Sequence, residues 1–182
     1  MLSGLIWRTG EIVLDRRTAL LAVVWYNVAP VAGLDFLTTP DPPSALFWMA
    51  TIWAVAEFVA SGRRTWWLVA GIAVGLGLGS KYTLAFLPPG LLLYLLLDRE
   101  RRRWLGYWQI WAAMVLALLV FSPVVWWNAQ HGWASFLFQG RRTASSGVSL
   151  DFLGYLVDFV AGQTLYMTPV MVAFAVAGAV IF

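Results

Sequence analysis

This sequence has few charged residues and no cysteine. Only 12% of the 182 residues are charged while 61% are hydrophobic, and the mean hydropathy is +0.76. A soluble domain carries about 25% charged residues, so this composition excludes a water-soluble fold. The absence of cysteine excludes disulfide bonds and thiolate metal sites. The net charge of +3 reports membrane orientation, so we expect no nucleic-acid partner.

Long apolar stretches fill most of the chain. With about 20 residues needed for each crossing, there is room for about six spans, at 18–34, 44–60, 65–79, 82–97, 106–125 and 168–182. These stretches must be helical, because backbone polar groups in lipid need internal partners. We therefore predict an all-α, polytopic transmembrane bundle, forming one membrane domain over residues 1–182. We expect it to be incomplete at both ends, since the last apolar run has no polar flank.

The arginines predict the orientation of the bundle. They fall in alternate loops, which should be cytoplasmic: Arg16, Arg17, Arg63, Arg64, Arg99, Arg101, Arg102 and Arg103. The loops 35–43, 80–81 and 126–149 then face outward. Residues 151–165 separate an apolar from a polar face, which predicts a helix lying along the interface. Tryptophans near the helix ends are expected to be mostly interfacial anchors, among them Trp67, Trp108 and Trp126.

Two further patterns predict packing within the bundle. Gly71, Gly75 and Gly79 are spaced by four residues, which lets a neighbouring helix approach closely. Glu57 lies about a turn and a half before Arg63, so we expect this pair to form toward the cytoplasmic surface.

Asp41 is the candidate acid of the outer face. It lies among Pro40, Pro42 and Pro43, which restrict the backbone and hold a carboxylate near the membrane surface. The alternative is a proline-rich turn that starts the next helix, with Ser44 as its cap. Asp35 could join Asp41, although a carboxylate that ends a helix at an interface is ordinary.

Lys81 is the only lysine, and it interrupts an apolar stretch on the side where positive charge is disfavoured. An ionisable group at membrane depth indicates function, and an ammonium group could bind a lipid phosphate. The alternative is a side chain that reaches an ordinary phospholipid headgroup.

The outer loop from Trp126 to Arg142 combines aromatic rings, amides, one histidine and two arginines. Amides such as Asn128 and Gln139 can bind sugar hydroxyls, rings can cover a sugar face, and Arg141 can bind an oxyanion. The alternative is an interfacial loop whose arginines meet lipid phosphates. His131, the only histidine, forms no histidine-based metal site alone, and a mixed site with Asp41 stays open.

These motifs resemble glycosyltransferase family 39, the dolichyl-phosphate-mannose protein mannosyltransferase-like group with bacterial aminoarabinose and galacturonic acid transferases. The resemblance covers about residues 18–142 and depends on the order of several short motifs. They are Thr39-Pro40-Asp41-Pro42-Pro43, Trp66-Trp67-Leu68, Ala70-Gly71, Gly75-Leu76-Gly77, Ser80-Lys81-Tyr82-Thr83, Ser122-Pro123-Val124, Trp127-Asn128, His131-Gly132-Trp133, Ser135-Phe136 and Phe138-Gln139.

The resemblance implies a GT-C membrane fold and an inverting transfer of sugar from a polyprenyl-phosphate donor. The acceptor is a lipid, glycan or protein, and transfer takes place on the periplasmic face of a bacterial inner membrane. A carboxylate acts as base, and cations, with a divalent metal in some members, hold the phosphate. Asp41 would be the acid at the rim of the site. The expected substrate-binding residues are Lys81, Tyr82, Asn128, His131, Gln139 and Arg141.

One departure from the family is large. The main catalytic acid of the family lies in the first outer loop, and nothing upstream of Thr18 supplies that loop. We therefore expect this chain alone to be catalytically incomplete. A transporter or flippase and a non-catalytic subunit are the alternatives. The polar residues collect at one face, whereas transporters place ionisable groups near the midplane, which favours chemistry on a membrane-embedded substrate.

Overall fold

The computed structural model describes residues 1–29, 39–145, 152–167, 172–173 and 177. This part of the chain contains helices and no strand, which confirms the all-α prediction. The helices are α1 (Leu2–Val13), α2 (Arg16–Val28), α3 (Asp41–Ser61), α4 (Trp66–Ser80), α5 (Leu87–Leu97), α6 (Trp108–Gln130), α7 (Ala134–Ser145) and α8 (Phe152–Met167). Two 3-10 turns, Tyr82–Phe86 and Arg101–Gly106, flank α5.

Within the described residues, two helices are long and apolar enough to cross a membrane. They are α3, with 21 residues, and α6, with 23 residues. Shorter apolar helices occupy Trp66–Ser80 and Tyr82–Leu97. Six spans therefore stay a prediction. Asp35 lies outside the described residues, as does most of the predicted span at 168–182. The segment near 151–165 is helical, as predicted, and forms α8.

Proline and glycine determine where the helices begin and end. Proline lacks an N–H group and suits the first helical turn, where both α3 and α5 carry it. Gly62 ends α3 with φ +68°, a conformation that glycine adopts without steric cost. The predicted span 82–97 is thus a 3-10 turn followed by a helix that begins only at Leu87.

Small residues bring α4 and α6 into close contact. A Cβ added to Gly71 would lie 2.8 Å from Ala113 Cα, and one added to Gly75 would lie 2.7 Å from the Ala117 carbonyl oxygen. The predicted close approach is confirmed at these two positions. It is wrong for Gly79, whose nearest neighbour would lie 4.0 Å away, because the two helices have diverged there.

Aromatic side chains form a core at the arginine-bearing end of the bundle. The Phe58 ring meets Trp104 edge-on at 4.8 Å and lies 5.5 Å from Trp67. Trp67 is only 5% exposed, so its predicted role as an interfacial anchor is wrong; α4 turns it into the core. Trp108 and Trp126 are 65% and 69% exposed, as an anchoring role requires.

An ion pair attaches α1 to α3. Arg8 Nε lies 2.6 Å from Glu57 Oε1 and Arg8 Nη2 lies 3.3 Å from Oε2, and the Trp53 indole N–H donates to the same carboxylate. The expected Glu57–Arg63 pair is therefore wrong. Arg63 follows Gly62, after α3 has ended, whereas α1 packs along α3 and brings Arg8 to Glu57. The hydrogen bond to Glu57 raises the pKa of Arg8.

Asp15 begins α2. Its carboxylate accepts hydrogen bonds from the backbone N–H groups of Arg17 and Thr18, at 2.8 and 3.0 Å, and from the Thr18 hydroxyl at 2.6 Å. These bonds, above all the one from the hydroxyl, lower the pKa of Asp15. The carboxylate therefore satisfies N–H groups that have no partner within the helix.

Candidate active site at the Lys81 end of the bundle

The structure joins Asp41 and Lys81 in an ion pair between Lys81 Nζ and Asp41 Oδ1. Asp41 is the first residue of α3 and Lys81 directly follows α4. The short connection 62–65 makes the two helices antiparallel, so the start of α3 and the end of α4 lie at the same end. Both side chains stay accessible, at 58% for Asp41 and 41% for Lys81. A ligand can therefore reach both.

Tyr82 connects this pair to the end of α6 and to α7. Its ring lies 5.1 Å from Phe136 at an interplanar angle of 30°, and meets Phe121 edge-on at 6.1 Å. Such aromatic pairs favour a fixed ring orientation. The residue after Lys81 is therefore held against the segment that carries the other predicted ligands.

Residues 126–145 are mainly helical, so the predicted outer loop over 126–149 is wrong for its described part. Helix α6 continues through Pro123 to Gln130, and α7 begins at Ala134 after a turn of only three residues. Asn128 connects the two helices. Its side chain is fully buried. The side-chain NH2 group donates to the Val124 carbonyl oxygen at 3.0 Å, and the side-chain oxygen Oδ1 accepts from the Ser135 N–H at 3.0 Å.

The buried position of Asn128 changes its predicted role. An amide with both ends bonded inside the protein supports the turn and is not presented to a ligand. Ser135 follows Asn128 by seven residues, and its N–H group has no partner within helix α7 because it lies in the first turn. The Asn128 side chain supplies that partner.

His131 lies in the turn between α6 and α7. Its ring stacks on Trp127 at 4.1 Å and 11°, and its Nδ1 lies 2.8 Å from the Trp127 carbonyl oxygen. If Nδ1 donates this bond, Nε2 is the acceptor nitrogen. Trp133 has φ +59°, and its backbone N–H donates to the backbone carbonyl oxygen of Asn128 at 2.8 Å. The turn therefore presents imidazole and indole rings at the surface.

Gln139 and Arg141 lie on α7, beyond Phe136, and both are exposed. Among the side chains that the structure describes, Arg141 makes no ion pair. Asp41 and Lys81 are thus in direct contact and Tyr82 follows Lys81 in the chain, whereas Arg141 shares only the helix that contacts Tyr82. Phe121 and Phe136, which hold Tyr82, were not among the predicted site residues.

The described residues contain no group of three or more histidine, aspartate or glutamate side chains that could hold a metal ion. Asp41 and His131 alone would leave most of the coordination sphere of a divalent cation to other groups. We therefore assign no step to a metal. The chemistry that the site offers is that of one carboxylate and one ammonium group, with aromatic surfaces beside them.

Comparisons with known proteins identify the family of this chain. The model of the dolichyl-phosphate-mannose-protein mannosyltransferase family matches residues 1–127, which include Asp41, Lys81 and Tyr82. Two lipopolysaccharide core galacturonosyltransferases of Rhizobium johnstonii are 39% and 29% identical, over 54% and 65% of this chain. An undecaprenyl phosphate-alpha-4-amino-4-deoxy-L-arabinose arabinosyl transferase of Pseudomonas aeruginosa is 33% identical over 72% of it.

The chain spans only part of these relatives, covering 21%, 25% and 23% of their respective lengths. No solved structure matches the chain. The family model nevertheless covers most of the sequence, in agreement with the order of motifs around Asp41 and Lys81. This membrane protein chain therefore belongs to the dolichyl-phosphate-mannose-protein mannosyltransferase family.

Proposed function

We propose that this chain is part of a membrane glycosyltransferase that moves a sugar from a polyprenyl-phosphate donor to an acceptor on the periplasmic face of a bacterial inner membrane. The contact between Asp41 and Lys81 is the observation that carries this proposal. A carboxylate and an ammonium group lie side by side there, at the end of the bundle opposite the arginine-rich loops, which supports their assignment as base and phosphate ligand. The name of the Pseudomonas aeruginosa relative, which includes an undecaprenyl phosphate-linked aminoarabinose, supports a donor of this kind.

The proposed reaction needs a base and a charge that holds the leaving group. A hydroxyl oxygen of the acceptor attacks the anomeric carbon and forms the new glycosidic bond, while Asp41 takes the proton of that hydroxyl. The bond from the anomeric carbon to the phosphate oxygen breaks, and polyprenyl phosphate leaves with the electron pair. Lys81, together with Arg141, stabilises the charge that develops on this phosphate.

The ion pair also connects donor binding to activation of the base. A donor phosphate carries acceptor oxygens that compete with Asp41 for the Lys81 ammonium group. Because the pair is exposed, this exchange needs no unfolding of either helix. Donor binding would then leave the Asp41 carboxylate available to the acceptor. Tyr82 and His131 would cover the sugar, and Gln139 would bind its hydroxyl groups.

A transfer assay distinguishes this function from its alternatives. The full-length protein is placed in proteoliposomes with undecaprenyl-phosphate-linked donors, one carrying an aminopentose and one a uronic acid, and with lipopolysaccharide core as acceptor. We expect release of undecaprenyl phosphate in step with the appearance of the sugar on the acceptor. Movement of intact donor across the bilayer would instead identify a flippase. If neither transfer nor movement of the donor is observed, the result favours a non-catalytic subunit.

The proposed orientation has its own test, since this chain contains no cysteine. Arg103→Cys and Gln130→Cys place single exposed thiols near opposite ends of α6, which is roughly 34 Å long. In a background without other cysteines, a membrane-impermeant maleimide added from the periplasm should label Gln130→Cys. Arg103→Cys should react only after the inner membrane is opened. The reverse pattern would place Asp41 and Lys81 on the cytoplasmic face.

A further inference from the structure

Helix α5 packs into the core of the bundle through Leu95 but is otherwise loosely attached. Its main contacts are with the two 3-10 turns that flank it, and apolar cavities of about 370 and 200 Å³ lie on either side of it. Trp67, Leu91 and Leu95 line both cavities, so the two adjoin at these residues. These two neighbouring apolar cavities are called the groove beside α5 below.

The larger cavity is apolar along most of its length and becomes polar at one end. Ile52 and Val55 of α3 and Ile12 of α1 line the apolar part, while Arg101 and Trp104 lie at the polar end. Trp67, which is 5% exposed, also lines it, and its buried indole N–H has no partner among the described atoms. The larger cavity therefore combines apolar side chains with one guanidinium group.

Arg101 is held in place at the polar end. Its guanidinium group lies 5.1 Å from the centre of the Tyr94 ring and 5.7 Å from that of Trp104, and its Nε lies 3.2 Å from Asp98 Oδ2. This ion pair uses one of the five N–H donors of a guanidinium group. The side chain is 39% exposed and can still bind an anion.

The surroundings of Arg101 are strongly basic. Four of the five residues from Arg99 to Arg103 are arginines, and Arg63 and Arg64 follow α3 at the same end of the bundle. Basic pockets between transmembrane helices on the cytoplasmic side bind anionic lipid headgroups. The charge of this end therefore complements a phosphate group, and the groove beside α5 complements an acyl chain.

We propose that the groove beside α5 binds one anionic phospholipid from the leaflet that the arginines face. Its phosphate accepts hydrogen bonds from Arg101, and an acyl chain lies past Trp67, Leu91 and Leu95 into the two cavities. This site is distinct from the candidate active site. Val59, which lines the larger cavity, is 18 residues after Asp41 in α3, or roughly 27 Å along the helix.

Lipid titration with native mass spectrometry tests the proposal. The full chain in neutral detergent is titrated with phosphatidylglycerol and, separately, with phosphatidylcholine carrying the same acyl chains. We expect one phosphatidylglycerol to be retained more tightly than phosphatidylcholine. Arg101→Gln should weaken its binding about tenfold, as the loss of a charge-assisted hydrogen bond predicts. Arg103→Gln, which removes the same charge from an exposed position outside the cavity, should change binding less than twofold.

Three results would overturn the proposal. The first is equal retention of the two lipids, and the second is equal loss in Arg101→Gln and Arg103→Gln, which would reduce the effect to general surface charge. The third is displacement of the lipid by inorganic phosphate alone, which would identify a site for a free anion. If Arg101→Gln does not fold, Leu91→Trp, which fills space in both cavities with a large ring, should also weaken phosphatidylglycerol binding.

Discussion

Asp41→Asn in the full-length protein is expected to lower the rate of sugar transfer by about 10²–10⁴-fold, the usual contribution of a general base. Asparagine has nearly the same size and can remain next to Lys81, but it cannot take a proton from the acceptor hydroxyl. Donor binding should change little. Initial rates of transfer from an undecaprenyl-phosphate-linked sugar, measured with saturating donor, isolate this effect.

Lys81→Ala should act differently, because we assign it to the phosphate. It should weaken donor binding and also slow the release of polyprenyl phosphate, so that both KM and kcat change. Two exposed residues at the arginine-bearing end, Glu100 and Arg103, offer matched controls. Glu100→Gln and Arg103→Ala remove charges of the same signs and should leave transfer unchanged.

Exchanging the two residues separates catalysis from structural support. The double variant Asp41→Lys with Lys81→Asp keeps an ion pair between the start of α3 and the end of α4, so the protein should fold normally. It reverses the positions of base and phosphate ligand and should be inactive. Full activity in the exchanged protein, or in Asp41→Asn, would show that the pair is structural and that the base lies elsewhere.

Gly71→Ala should destabilise the bundle by about 1–3 kcal/mol, the typical cost of overpacking a tight contact. The added methyl group would meet the backbone of α6 at Ala113, which cannot move aside as the end of a flexible side chain could. The better helix propensity of alanine, about 1 kcal/mol, would offset only part of this cost. Thermal unfolding in detergent, followed by circular dichroism, should show a lower Tm.

Gly79→Ala is the matched control on the same helix. Its added methyl group would meet only Val124 Cγ2 at 4.0 Å, an ordinary van der Waals distance. The substitution should therefore leave Tm unchanged or raise it slightly, through the gain in helix propensity. Equal Tm values for the two variants would mean that α4 and α6 are not in close contact at Gly71.

The sequence was most informative about local structure. The apolar runs predicted the helices, because lipid leaves no other partner for the backbone. The prolines around Asp41 indicated the start of a helix there, since proline acts through its own backbone geometry. The rarity of lysine was enough to single out Lys81. Family membership followed from the order of short motifs, which is also a property of the linear chain.

Predictions failed where the outcome depended on helices that are distant in sequence. Glu57 pairs with Arg8, 49 residues earlier, because α1 packs along α3. Trp67 is buried because α3, α5 and α6 supply Phe58, Leu95 and Ile110 around it. One failure was local: the predicted outer loop is largely helix, and buried Asn128 bonds to the start of α7 across a three-residue turn.

The sequence by itself thus determined that this protein is a helical membrane protein, and it identified Asp41 and Lys81 as separate candidates. Only the tertiary structure decided that they form an ion pair, that Tyr82 is held against α7, and that Asn128 supports the turn after α6. The physical reason is the range of the interactions. Burial in lipid and helix capping depend on neighbouring residues, whereas an ion pair across 40 residues depends on how α3 and α4 pack together.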